Sequence, residues 1–475
     1  MNRLNRCCVL LFVLLSFSAC SVGPEFIRPS VNVPATWSGR PADPKQTDTT
    51  QTDITGLSNW WETFNDPLLS LLIQRGLQDN LDIKQAQLRI IQARASKKIA
   101  VSAGFPNIDA AFSYLRNRTA SPAMTSSLYE EGLDAGWEVD LFGRVKRSAE
   151  ASEAEVLAAI ETKRDVLVSL GAEVATSYLR LRMYQNQHEI ARKSLENQQM
   201  TLEIATQKFD AGFVSAIDVT AFETQKALTE ARIFSLETEI QKTIYAISVL
   251  LGQNPVSLVK ELEKTGDIPI ARKTLPSGVP SGLLRRRPDI RRAEAAIHSA
   301  TAQIGVSEAD LFPRFFLTGS LGMRQKKSLP SLDWADRFWS IGPSVQWNVF
   351  AAGRTVATIE LQKLLQEESV LKYRKTVLEA LKEVEEMIFS LLQEQRRVQA
   401  LTEAAAAAEK TFELAKQLYR HGQTDYLAAL DAERSLLSAK DSLVQSRQQL
   451  TFYHVALYKA LGGGWSEQET NLVYD

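Results

Sequence analysis

The chain has 475 residues, with 55 Lys and Arg against 56 Asp and Glu and a formal net charge of −1. Such a balance gives no global basic field of the kind that gathers nucleic acid. The hydrophobic content of 44% suits an ordered protein and is too low for a bundle of membrane-spanning helices, and the length allows two or three ordinary domains.

At the N-terminus, Arg3 and Arg6 precede an almost wholly apolar run from Cys7 to Phe17, and the small residues Ser18 and Ala19 precede Cys20. The run is too short to cross a bilayer as a helix and reads as a cleavable export signal over residues 1–19. A short uncleaved anchor is the alternative. Phe17-Ser18-Ala19-Cys20 resembles the bacterial lipobox, with Phe where Leu is usual. That resemblance implies that Cys20 is lipidated and becomes the mature N-terminus. Ser21 in place of Asp after it implies sorting to the outer membrane. With Cys7 and Cys8 removed, one Cys remains and no intrachain disulfide can form. Residues 20–58, rich in Pro, Thr, Ser, Asp and Gln, read as a lipid-anchored extended tether. Order is expected to begin near Trp60, Trp61, Phe64 and Leu68.

The rest of the chain repeats itself. Trp137 and Trp347, Gly143-Arg144 and Gly353-Arg354, Phe209 and Tyr419, Gly212 and Gly422, and Leu251-Gly252 and Leu461-Gly462 all lie 210 residues apart. Phe105-Pro106 and Phe312-Pro313 lie 207 apart. A constant offset over so many landmarks signals two tandem copies of one unit. The copies are placed at 59–252 and 289–464, joined by a Pro-rich connector at 253–288 and followed by a tail at 465–475. Each begins with a helical pattern (about 81–103 and 289–311). Two alternating segments follow, at about 106–118 and 128–140 in the first copy and 313–325 and 337–349 in the second. Two long helices complete each copy, at about 144–209 and 216–251, and at 354–420 and 425–461.

The alternating segments set Ile108, Ala110, Phe112 and Tyr114 against Asn107, Asp109, Ala111 and Ser113, and Leu133, Ala135, Trp137 and Val139 against Asp134, Gly136, Glu138 and Asp140. In the second copy, Phe315, Leu317, Leu321 and Met323 alternate with Arg314, Thr318, Ser320 and Arg324. Trp339, Ile341, Val345, Trp347 and Val349 alternate with Ser340, Gly342, Ser344, Gln346 and Asn348. Period two over roughly ten residues is the pattern of a membrane β-strand. Alternation alone fits a half-buried soluble sheet equally well, and the export signal favours the membrane. Four strands cannot close a barrel in lipid, where the smallest have about 8, so the barrel must be shared between chains.

Arg354 to Arg420 contains no Pro and no Gly, and Val377, Leu381, Val384, Ile388 and Leu391 form a seam at spacings of 4, 3, 4 and 3, as in a coiled coil. A helix of that span is on the order of 100 Å long at 1.5 Å per residue, too long for a compact domain to enclose. It is expected to project from the strands into the periplasm.

Little points to catalysis, a cofactor or a metal. His188, His298, His421 and His454 fall in no HExxH or paired-His spacing, no Gly-rich phosphate loop or GxSxG occurs, and the six Met are scattered where a metal relay needs clustered ligands. Gly462-Gly463-Gly464 reads as a helix cap. At the two helix-to-helix turns, Gly212 and Gly422 can adopt the left-handed conformation that ends a helix, and Ser215 and Asp425 can cap the next. Two ordinary hairpin tips would look the same.

Several segments together carry a family resemblance. They are Cys20, the stretch Trp60-Trp61-Glu62-Thr63-Phe64-Asn65-Asp66-Pro67-Leu68, the stretch Arg286-Arg287-Pro288-Asp289-Ile290-Arg291-Arg292-Ala293-Glu294, the two Gly-Arg helix starts and the two tips. The chain resembles the outer-membrane efflux protein family, the TolC-like channels and NodT-like lipoproteins, over essentially its whole mature length. The resemblance implies a mainly α protein with a membrane β-barrel part: a homotrimer whose four strands per chain make a 12-stranded barrel joined to a long α-helical periplasmic barrel. It implies a passive exit duct, not an enzyme, working with a periplasmic adaptor protein and an inner-membrane transporter of the RND type. By the same resemblance Asp218, Tyr419 and Asp431 belong to the gate. The tips at Gly212, Phe213, Val214 and Ser215 and at Gly422, Gln423, Thr424 and Asp425 contact the adaptor. Ala428 stands where some members carry a second acidic ring, and Thr424 where some carry an arginine. The basic residues Arg116, Arg118, Arg324, Lys326 and Lys327 flank the strand loops, where they would face lipopolysaccharide or the outer mouth. A lipid-anchored coiled-coil scaffold and the outer-membrane component of a type I secretion system are the competing readings.

Overall fold

The computed structural model describes residues 21–34, 36–38, 57–271, 282, 286–325 and 334–466. Cys20, Lys326 and Lys327, and the expectations attached to them, lie outside these residues.

The first helix, α1 (Pro67–Asp79), is set by its own sequence. Asp66 accepts from the backbone of Leu68 at 2.9 Å and Leu69 at 3.0 Å, and Pro67 takes the first helical position, where no N–H is needed. Asn80 starts α2 (Leu81–Ser102) in the same way, accepting from Asp82 at 2.7 Å and Ile83 at 3.1 Å. Then follow β1 (Asn107–Ala120), β2 (Ala123–Val139), α3 (Arg144–Asp210) and α4 (Ala216–Leu250). The second copy supplies α5 (Pro288–Ala309), β3 (Arg314–Gln325), β4 (Arg337–Gln346), α6 (Arg354–Arg420) and α7 (Tyr426–Ala460). The duplication is carried into element lengths: α2 and α5 have 22 residues each, α3 and α6 have 67, and α4 and α7 have 35.

These elements distribute over two units. One holds the described parts of Met1–Val31, Gln87–Glu161 and Asp289–Thr376; the other holds those of Asn32–Ala86, Thr162–Pro288 and Val377–Asp475. The second unit has the larger apolar core. Trp60, Trp61, Phe64, Leu72 and Ile73 pack there against Tyr178, Leu179, Ile244, Ile247 and Leu251. Trp60 stacks on Tyr458 at 5.5 Å and meets Phe64 edge-on at 6.0 Å. The Tyr178 hydroxyl donates to Asp66 at 2.7 Å, tying the start of α1 to α3. Burial, then the Asp66 carboxylate, pushes that phenol well up.

The sheet belongs to the other unit and runs in the order β1-β2-β3-β4, antiparallel throughout. The β1–β2 ladder continues to Ala120 opposite Ala123, further than the alternating pattern predicts. Asn117 to Thr119 and Thr125 to Ser127 are polar on both faces, so alternation is silent there, but backbone pairing needs no apolar face. β4 ends at Gln346, opposite Arg314, short of the expected Val349. Pro313, just before β3, has no N–H with which to extend the ladder.

The N-terminal segment is extended, as its composition suggests, but order begins well before Trp60. In the sheet-bearing unit, Val22 donates its N–H to Phe142 O at 3.1 Å, and Arg147 donates to Val22 O and Gly23 O, both at 3.1 Å. Gly23, at φ +93°, lies directly on Gly305. Phe26 stacks on His298 at 4.5 Å, and Arg28 pairs with Glu294 at 2.6 Å. In the other unit Trp37 is buried with Val384, Ile388 and Leu457, and Ser38 donates to Glu385. Main-chain carbonyls and isolated aromatics hold this segment, neither of which produces a periodic pattern.

Candidate pore face and helical tips

The register puts every residue of one apolar set on one face. Leu133 stands opposite Ala110 and Leu321, and Leu321 stands opposite Trp339; Val139 stands opposite Phe315, which stands opposite Val345. This face is exposed in the single chain, Phe112 at 68% and Ile341 at 69%, and more contiguous than a water-facing monomer normally shows. Trp137 and Trp347 flank it at the end nearer the long helices.

The opposite face is polar. Asp109, Asp134, Ser320 and Ser340 form one cross-strand row, and the two serine hydroxyls are 2.7 Å apart. Glu130 is paired with Arg324 at 2.7 Å, and Glu138 accepts from Nε and Nη2 of Arg144 at 3.0 and 2.6 Å. Asp109 accepts from the Asn107 amide at 2.8 Å. Two carboxylates directly opposite each other repel, and water on that face is what makes the arrangement tolerable. Arg116 and Arg118 stand on β1 opposite Ser127 and Thr125.

Among the described residues the sheet has two free edges, since β1 and β4 are each paired on one side only. Pro343 stands in β4 opposite Leu317. Proline keeps its place in a ladder where its nitrogen faces away from the paired strand, so the gap faces the free edge. α6 likewise carries two apolar seams. Tyr373, Val377, Val384, Ile388 and Leu391 are buried, while Val356, Leu364, Leu371, Leu378 and Phe389 are each more than half exposed.

At the tips both copies close their long helix identically. Gly212 N–H donates to Phe209 O and Phe213 N–H to Lys208 O; Gly422 donates to Tyr419 O and Gln423 to Leu418 O. Gly212 and Gly422 sit at φ +79° and +71° with open space around them, so it is the left-handed backbone that calls for glycine. Asp218 accepts from Ser215 N–H at 2.9 Å, and Asp425 from Ala428 N–H at 3.0 Å. Phe213 is 81% exposed; Val214 and Thr424 are half-buried, and Ser215 and Gln423 are exposed.

Asp218, Tyr419 and Asp431, the positions expected at the gate, are not joined to one another by any hydrogen bond among the described residues. Tyr419 is buried with Ala205, Phe222, Ala429 and Leu430, and its hydroxyl has no hydrogen-bond partner among the described residues. Burial, then the nearby Asp218 charge, raises its pKa. Lys208 lies over its ring at 4.2 Å and donates to its carbonyl at 2.5 Å. Asp431 is exposed, 4.0 Å from Arg434, whose Nε donates to Gln225 at 2.9 Å. Sequence reasoning missed Lys208, Phe222, Arg434 and Gln225, because their roles depend on which helices meet. Among the described residues no group of His, Cys, Asp and Glu is arranged to hold a metal ion, and no helix is long and apolar enough to cross a membrane.

A tandem repeat with a strand pair and two long helices in each copy is the organisation of one known family, and a family model described as outer membrane efflux protein matches residues 72–253 and 279–463. The chain belongs to the outer membrane efflux protein family. Nodulation protein T of Rhizobium leguminosarum bv. trifolii is 31% identical over 463 residues, covering 96% of this chain and 97% of that protein. The probable efflux pump outer membrane protein TtgC of Pseudomonas putida is 30% identical over 460 residues, covering 94% and 93%. Among solved structures, the outer-membrane channel OprN is similar with a TM-score of 0.86 and 35% identity, over 94% of this chain and 100% of that one. The efflux protein described here is therefore an outer-membrane channel of TolC-like fold. The apolar sheet face is its lipid-facing surface and the polar face its lumen.

Proposed function

We propose that three copies of this efflux protein close one 12-stranded barrel and form the passive exit duct of a tripartite pump. The carrying observation is the pair of unsatisfied edges. β1 and β4 each lack a neighbour on one side while one sheet face is apolar. An open edge in lipid leaves N–H and C=O groups unpaired at several kcal/mol each. Pairing β4 of one copy with β1 of the next removes both edges. The exposed second seam of α6 supports the same closure in the helices, because a helix in a closed ring needs an apolar stripe toward each neighbour.

In this reading Cys20 carries the lipid. The tips around Gly212–Ser215 and Gly422–Asp425 meet a periplasmic adaptor, and an RND-type inner-membrane transporter supplies energy and cargo. Asp431 lines the periplasmic constriction, with Asp218 and Tyr419 in the links that hold it. The adaptor opens the duct only by binding the open state better than the closed one. The test is conductance of the purified protein in a planar bilayer, together with a heat-resistant trimer on a gel. A monomer without conductance would overturn the proposal. If divalent cations block wild type and Asp431→Ala equally, Asp431 has no part in the constriction.

A further inference from the structure

Arg116 and Arg118 continue the lipid-facing set of β1. They follow Ile108, Ala110, Phe112 and Tyr114 at every second residue, through an unbroken register with β2. Both are exposed and stand toward the β1–β2 turn, the end of the sheet away from the long helices. Neither is paired with a carboxylate among the described residues. On β4, Arg337 shares this face with Trp339 and Ile341, again at the end away from the helices. It lies over the Trp334 ring at 5.1 Å and donates to Trp334 O at 2.9 Å. Arg324 differs. It stands on the polar face, paired with Glu130 at 2.7 Å and lying over Phe338 at 5.0 Å.

The apolar band ends where these arginines begin. Glu131 shares one cross-strand row of the outer face with Phe112, Met323 and Arg337. A carboxylate is costly in hydrocarbon, so this row marks the membrane boundary. The dimensions agree. From Val139 to Glu131, β2 rises about 27 Å at ~3.4 Å per residue, and tilted as barrel strands are, that is about 20 Å of height, close to the ~25 Å apolar band of an outer-membrane barrel. Tyr114 and Tyr129 form the next row, with ring centroids 4.6 Å apart, and Trp339 is 71% exposed. Such rings sit at the level of lipid headgroups. The Tyr114 hydroxyl lies 3.4 Å from that of Ser127, the residue opposite Arg116.

At and beyond the boundary, the described strand residues of this face therefore set three guanidinium groups against one carboxylate. A guanidinium presents paired donors that match a phosphate. The lipid at the outer end of such a barrel is lipopolysaccharide, whose lipid A carries phosphates on its sugars. We propose that Arg116, Arg118 and Arg337 bind the lipid A phosphates of lipopolysaccharide at the outer rim, in a site shared between β1 of one copy and β4 of the next. This rests on the barrel closure proposed above. Within one chain the two strands lie at opposite edges of the sheet, and closure makes them neighbours with their arginines at the same end.

The test is native mass spectrometry of the purified trimer in detergent, titrated with lipid A, with lipid A stripped of its phosphates, or with phosphatidylethanolamine. Wild type should prefer intact lipid A to both others. The combined variant Arg116→Gln, Arg118→Gln and Arg337→Gln should bind it at least about tenfold more weakly. Arg324→Gln, on the lumen side, should bind it like wild type. Equal binding of the stripped lipid, or wild-type affinity in the combined variant, would overturn the site while the trimer stands. Arg337→Gln alone with wild-type affinity would overturn its sharing between copies. A wild-type protein that is a monomer would overturn the closure, and the shared site with it.

Discussion

Trp137 and Trp347 make the same hydrogen bond in the two copies. The indole of Trp137 donates to Gly104 O at 2.9 Å and that of Trp347 to Leu311 O at 3.1 Å. The donors are 210 residues apart and the acceptors 207, matching the two offsets in the sequence. Each bond ties the helical end of a strand to the turn before its partner strand. Trp137→Phe keeps an aromatic side chain and leaves the Gly104 carbonyl unanswered, a loss of about 1 kcal/mol. A lowered temperature for heat dissociation of the folded protein checks this. Trp347→Phe should cost less, because Trp347 is 55% exposed and water can replace its bond.

Arg147 holds the N-terminal segment through Val22 O and Gly23 O, its guanidinium steadied by Glu150 on the same helix. Arg147→Met preserves the stem and removes the donors, costing about 2 kcal/mol at that clasp. Limited proteolysis should then cut within residues 22–31 at least about tenfold faster, since 1.4 kcal/mol is a factor of ten. Cleavage at the wild-type rate would show that the Val22 N–H bond, Phe26 and Arg28 are enough to hold the segment.

His454 is 8% exposed, and burial lowers its pKa from 6.5 to about 4. The unfolded chain therefore binds a proton that the fold refuses, so stability rises with pH between about 4 and 6.5. The contribution is at most about 3 kcal/mol. His454→Asn should flatten that part of the unfolding midpoint against pH, followed by the helical circular dichroism signal. An unchanged slope would assign it to other groups.

The Tyr419 hydroxyl is buried and unpartnered among the described residues. Tyr419→Phe should therefore leave stability unchanged or raise it by up to about 1 kcal/mol. It should also raise the frequency of channel opening if the hydroxyl links to Asp218 in the sealed state. A loss of stability above 1 kcal/mol would mean that the hydroxyl is bonded in the resting protein.

How far the fold could be read beforehand differed by element. The strands were legible because side chains alternate at period two, and the long helices because α6 lacks Pro and Gly and carries a repeating seam. The β1–β2 ladder beyond Asn117 was not legible, because backbone pairing there places no apolar residue on either face. At the tips, Gly212 and Gly422 announced their helix caps. Nothing local announced that Tyr419 would be buried against Phe222 or that Glu433, two residues from the exposed Asp431, would point into the bundle.

The sequence by itself determined the duplication, the face each strand turns to lipid or water, and the need for partner chains, because order, periodicity and strand count are properties of the linear chain. Only the tertiary structure decided that Val22 and Gly23 are clasped by Arg147, that the Tyr419 hydroxyl is left without a partner among the described residues, and that Glu433 accepts from Ser194. Those outcomes depend on side chains from distant elements arriving at one place, where burial removes the water that would otherwise satisfy them.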